Sequence, residues 1–161
     1  MKQRIDYPRV APRALGAIME MERYVRSSAL EGSLIELVKL RASQINGCAF
    51  CVDMHSKDAR AQGETEQRLH GLAVWREAPF YSPRERAALA WTEAVTQLSE
   101  YGAPDDLYEE LLEHFTEVEV VDLTMTIATI NAWNRMAVSF RPPVGDYQPG
   151  PVATVTSPSP A

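Results

Sequence analysis

Helix punctuation, more than composition, limits what this 161-residue chain can fold into. Ser82-Pro83-Arg84-Glu85 places a capping hydroxyl, a proline in the first turn and a glutamate at the third helical position, which together open a helix. Thr116 and Glu119 repeat the pairing. Asn46-Gly47 closes an earlier segment, since both residues tolerate the left-handed conformation that ends helices, and Gly63 offers another stop. Between these marks the apolar residues recur at helical spacing: Leu15, Ile18, Met19 and Val25 in 13–26, then Leu34, Leu37, Val38 and Ile45 in 33–45. A helix is predicted from Cys48 to about Gln62, and a short one over 65–72. Ala87, Trp91, Ala94, Val95 and Leu98 form one stripe after Ser82, and Leu107, Leu111, Leu112 and Phe115 another after Pro104. The last segment, 116–138, is rich in Val, Ile and Thr, which favour strands. Its length and missing turn signals favour a buried helix instead. The fold class is therefore all-α, a bundle of about six to eight helices over residues 1–140. From Arg141 onward six of the last 21 residues are proline and periodicity stops. Residues 141–161 are expected to be an extended or disordered tail, or an arm on a neighbouring subunit.

Charge and hydropathy exclude several function classes. A formal net charge of −6 disfavours nucleic acid as partner, because phosphate binding needs clustered Lys and Arg. No run approaches the roughly 20 apolar residues that span a bilayer. The opening MKQRIDYPRVAPRA lacks the apolar core of a secretory signal. A cytoplasmic location is expected, and there paired cysteines are more often catalytic or metal-binding than structural. The apolar helices exceed what one thin bundle needs, so a homo-oligomer is expected.

Both cysteines fall in SQINGCAFCVDMHSK, residues 43–57, three apart, with His55 four beyond the second. If Cys48 caps a helix, Cys51 takes its third position and His55 lies one turn on, on the same face. Backbone amides and the positive dipole end stabilise a thiolate there, and His55 is placed to take its proton. Cys48 is close enough to condense with an oxidised Cys51, which suits a two-electron thiol cycle. Two other readings stay open. The pair can be two small buried hydrophobes, or part of a zinc site that His70 or His114 would have to complete. Glu36 also has two readings. Ser33-Leu34-Ile35-Glu36 matches a capping box, while a carboxylate folded against the Cys–His pair would extend a proton relay.

The string ELVKLRASQINGCAFCVDMHSKDAR resembles the core of the carboxymuconolactone decarboxylase and alkylhydroperoxidase D superfamily, in its CxxC-containing branch. YSPRERAALAWTEAVT is more weakly similar to the second helix of that superfamily. The resemblance covers roughly residues 15–138 and implies an all-α fold assembled as trimers or hexamers. It implies a peroxidase in which Cys51 reduces the peroxide, Cys48 resolves it, and His55 and Glu36 move the proton. The implied partners are a small-molecule peroxide and an external dithiol, lipoyl- or thioredoxin-like. No cofactor and no metal enter this reading. One departure stands out: the alkylhydroperoxidase branch has a histidine directly before the second cysteine, where this chain has Phe50. The competing function is a non-catalytic thiol sensor or a ligand-binding helical protein. His70 and His114 are expected at surface and helix-end positions, and Trp75, Trp91 and Trp133 in core or interface.

Overall fold

The computed structural model describes residues 2–150. Among them are nine α-helices, one 3₁₀ turn at Leu72–Val74 and no strand. The helices are α1 (Tyr7–Val10), α2 (Pro12–Ser27), α3 (Gly32–Ile45), α4 (Ala49–Ala61) and α5 (Glu66–Gly71), followed by α6 (Pro83–Thr96), α7 (Leu98–Tyr101), α8 (Asp105–Leu112) and α9 (Glu117–Phe140). The expected long helices are all present. The count exceeds the expectation because α1 and α7 are single four-residue turns that carry no periodic signal. One stripe also ends early: α6 stops at Thr96, and Leu98 begins the separate α7, where it is 57% exposed.

Packing centres on α3, which touches α4, α6 and α9, while α2 lies along α9. α3 is buried on nearly all sides: Leu34, Leu37, Val38 and Leu40 cover one half of the helix, and Ile35, Lys39, Ala42 and Ser43 are buried on the other. Leu34 and Val38 join Trp91, Leu123 and Ile127 in one core cluster. Leu37 and Leu40 join Leu72, Trp75 and Leu89 in another. α9 is helical despite its β-branched content because it is buried through Val120, Leu123, Ile127 and Ile130, and its threonine hydroxyls find acceptors within the helix. The hydroxyls of Thr124, Thr126 and Thr129 donate to the carbonyls of Val120, Asp122 and Met125 at 2.8, 2.8 and 2.7 Å. No described helix is long and apolar enough to cross a membrane.

The join between α3 and α4 sets the position of both cysteines. Gly47 takes φ 64, and its amide donates to Gln44 O at 3.2 Å while the Cys48 amide donates to Ser43 O at 3.0 Å. This double closure ends α3 within two residues. A side-chain network anchors the join to α9: Asn46 Nδ2 donates to Asn131 and Asn134 at 3.0 and 2.8 Å, and Asn134 Nδ2 donates to Ser43 Oγ at 3.0 Å. At the other end α9 stops at Arg141, whose φ is 57, and Pro142 and Pro143 prevent continuation. Residues 141–150 form no helix or strand. The remainder of the expected tail, 151–161, lies outside the described residues.

Candidate active site

Cys48 is the N-cap of α4, and the Cys51 amide donates to its Sγ at 3.3 Å. The sulfur thus takes the place of the usual capping oxygen. Cys51 stands at the third helical position, and the two sulfurs are bonded as a disulfide across a Cα–Cα distance of 5.4 Å. Both residues are 1% exposed and pack with Ala42, Ile130 and Ala137, with Phe50 and Trp133 alongside. Each nevertheless borders its own cavity. Cys51, His55, Glu36, Met54 and Trp133 help line one of about 310 Å³. Cys48, Val138, Pro142 and Pro143 help line a second of about 460 Å³. Phe50 and Ala137 border both, so they form the partition between the two sides of the disulfide.

His55 lies one turn beyond Cys51, buried, with Nδ1 2.7 Å from Glu36 Oε2. A carboxylate there accepts Nδ1–H, so in the neutral ring Nε2 is the acceptor. Nε2 is buried and has no hydrogen-bond partner among the described residues. Glu36 is available because the capping-box reading of Ser33 fails. Helix α3 starts at Gly32 with Glu31 as its N-cap and no side-chain cap, so Glu36 already lies beyond the first turn. The structure therefore brings all four expected residues to the packed α3–α4 pair: Cys48 and Cys51 at the start of α4, and Glu36 and His55 facing each other further along, with Glu36, Cys51 and His55 on one cavity.

Sequence reasoning missed four neighbours, Asp58, Tyr147, Lys39 and Glu22. Asp58 follows His55 by one turn, and one of its carboxylate oxygens lies within 4.8 Å of a Glu36 oxygen and a His55 ring nitrogen. These donors are engaged with one another and with the tail: Glu36 holds His55, and Tyr147 Oη donates to Asp58 Oδ1 at 2.7 Å. In the cavity wall Lys39 Nζ donates to Glu22 Oε1 at 2.6 Å, with side chains only 3% and 10% exposed. Burial pushes the Glu22 carboxyl up, but Lys39 and then Arg26 more than offset this and hold it below the usual carboxylate range. His70 and His114 are elsewhere. The His70 side chain is 79% exposed beside Glu66, and His114 offers its backbone carbonyl to Arg84.

This chain thus combines an all-α bundle with a disulfide-bonded CxxC at a helix start and a carboxylate–imidazole pair nearby. Residues 12–94 match the Carboxymuconolactone decarboxylase family, and the chain belongs to it. The uncharacterized protein YdfG of Bacillus subtilis is 46% identical over 140 residues, 87% of this chain and 95% of YdfG. Among solved structures, ATU0492 of Agrobacterium tumefaciens superimposes with TM-score 0.85 at 51% identity, covering 92% of this chain and 99% of that one. It is described as a protein of unknown function, provisionally the antioxidant defence protein AhpD. An uncharacterized peroxidase-related protein of Ralstonia eutropha with an alkylhydroperoxidase AhpD core gives TM-score 0.72 at 25% identity, over 83% of this chain and 72% of that one.

Proposed function

We propose that this chain is a thiol-dependent hydroperoxidase acting on neutral organic hydroperoxides. In the reduced protein His55 Nε2 takes the Cys51 proton, and Glu36 on Nδ1 supports the imidazolium that forms. The position of Cys51 in the first turn of α4 favours the thiolate. The thiolate attacks the terminal oxygen of ROOH, the O–O bond breaks, and ROH leaves with the proton that His55 returns. Cys51 is then a sulfenic acid. The Cys48 thiol attacks that sulfur, forms the S–S bond and expels water. An external dithiol supplies two electrons and two protons by thiol–disulfide exchange, restoring both thiols as it becomes a disulfide itself.

The observation that carries this reading is the 2.7 Å Glu36–His55 bond with Nε2 left bare beside the cavity of Cys51. Met19, Phe50, Met54 and Trp133 make much of that cavity's wall apolar, which suits an organic rather than an inorganic peroxide. Its carboxylates, Glu22, Glu36 and Asp58, outnumber Lys39 and Arg26, which disfavours an anionic substrate. The separate cavity at Cys48 suits entry of the reductant, for which a lipoyl- or thioredoxin-like dithiol is the family expectation. A cytoplasmic homo-oligomer, trimer or hexamer, belongs to the same proposal, and the exposed Val118 and Val121, three residues apart on α9, support an association face.

Dithiol-dependent consumption of an alkyl hydroperoxide is expected to saturate with peroxide and to vanish in Cys51→Ala; an undiminished rate in that variant overturns the mechanism. The second reading, a thiol sensor, is favoured by the 1% exposure of both cysteines. It predicts slow disulfide formation that does not saturate with any peroxide.

A further inference from the structure

Asp58 and Tyr147 border the site yet have no part in the reaction just described. Asp58 follows His55 by three residues on α4, so the two share a face. With Glu36 on the neighbouring helix, one oxygen of each carboxylate and one ring nitrogen of His55 lie within 4.8 Å of one another. Glu36 already holds Nδ1. An unsatisfied Asp58 would favour a proton on the remaining nitrogen, and Nε2 is the atom that must stay bare to accept from Cys51. The Tyr147 hydroxyl supplies what Asp58 lacks. It donates at 2.7 Å and is the only side-chain partner of Asp58 among the described residues.

Tyr147 is held there by α4 itself. Lys57 Nζ, paired with Asp53 at 2.9 Å, also donates to the carbonyls of Gly145 and Tyr147 at 2.8 and 3.0 Å. Gly145 takes φ 110, which a side-chain-bearing residue adopts only under strain, within the segment that α4 grips. Burial first, and then Asp58, push the Tyr147 phenol up to about 12. The hydroxyl therefore remains a donor wherever a thiol enzyme works.

We infer that Tyr147 is a positioning residue: by occupying Asp58 it keeps His55 bound to Glu36 alone, with Nε2 free of a proton. The purpose of that arrangement rests on the hydroperoxidase reading; the hydrogen-bond claim does not. Other charges around the ring are accounted for. From α2 come Glu22 and Arg26, and from α3 Lys39 beside Glu36. Lys39 and Arg26 are both bonded to Glu22, at 2.6 and 3.2 Å, so this group carries one net positive charge, the same in the parent and in each variant below. The α1 contribution is the phenol of Tyr7, which burial pushes up, and α9 brings only the uncharged Trp133 and Ala137.

The test is ¹⁵N NMR of the His55 ring in the disulfide form, where neither cysteine titrates and no peroxide is needed. Spectra are compared at one fixed pH near neutrality, with His55→Gln used for assignment. The parent is expected to show Nδ1 protonated and Nε2 bare. In Tyr147→Phe the ratio of protonated to bare Nε2 rises severalfold, up to about tenfold, since the Asp58 charge is present throughout and only its hydrogen bond is removed. In Tyr147→Phe/Asp58→Asn it returns to the parent value or falls below it. An unchanged ratio in Tyr147→Phe, with the fold intact by circular dichroism, overturns the inference, as does a rise that persists in the double variant. Absence of peroxide turnover in the parent would instead count against the hydroperoxidase reading and leave these ring populations as predicted.

Discussion

Lys39→Met tests whether the wall of the Cys51 cavity is held by charge. Lys39 and Glu22 meet at 2.6 Å from α3 and α2, both almost out of water. Breaking a buried pair from one side leaves an uncompensated charge, at a cost of about 3–5 kcal/mol. Arg26 still reaches Glu22 at 3.2 Å, but its own side chain is 77% exposed, so it repairs little. The lower end, about 3 kcal/mol, is the expected loss. With a urea slope of about 2 kcal/mol per molar for a chain of this size, the midpoint should fall by about 1.5 M. The assay is urea unfolding followed by circular dichroism. Replacing both partners, in Glu22→Leu/Lys39→Met, removes the stranded charge and should recover most of the loss. The acid side carries a second signature. Glu22 is held below its ordinary value of 4.5, so its contribution is present above that value and is lost as pH falls through the folded one. Lys39→Met should flatten this part of the stability profile. A midpoint within about 0.5 M of the parent, equivalent to about 1 kcal/mol, would refute the argument.

Two further outcomes concern the chemistry. Glu36→Gln keeps an acceptor on His55 Nδ1 but removes the charge that supports the imidazolium, so the single-turnover rate with peroxide should fall about ten- to a hundredfold while KM holds. An unchanged rate by stopped-flow would remove Glu36 from the relay. Phe50→His inserts the histidine that the alkylhydroperoxidase branch carries, at the partition between the two cavities, and should raise turnover at neutral pH. A slower enzyme would show that the ring of Phe50 is needed to shape the substrate wall.

What the sequence displayed and what it hid divide along local and long-range lines. The cysteine-capped start of α4 was legible because Asn46, Gly47 and Cys48 settle it among themselves and Ser43. The capping boxes at Ser82 and Thr116 formed as read, for the same reason. Glu36 was ambiguous because two local patterns overlapped on it. Only the start of α3 at Gly32, one residue before the expected cap, leaves it free for His55. Leu98 continued a stripe on paper, yet the chain turns at Gln97 and leaves it in water. Lys39 carried no signal, since its partner lies 17 residues back on another helix. Asp58 and Tyr147 are 89 residues apart, and a proline-rich stretch without periodicity gives no hint of where it returns.

The most direct measurement is sulfenic acid trapping in Cys48→Ser, where the resolving thiol is gone. After one equivalent of an alkyl hydroperoxide, dimedone followed by mass spectrometry should place the adduct on Cys51, with one alcohol released per adduct. An unlabelled Cys51 beside unconsumed peroxide would contradict the account at its centre.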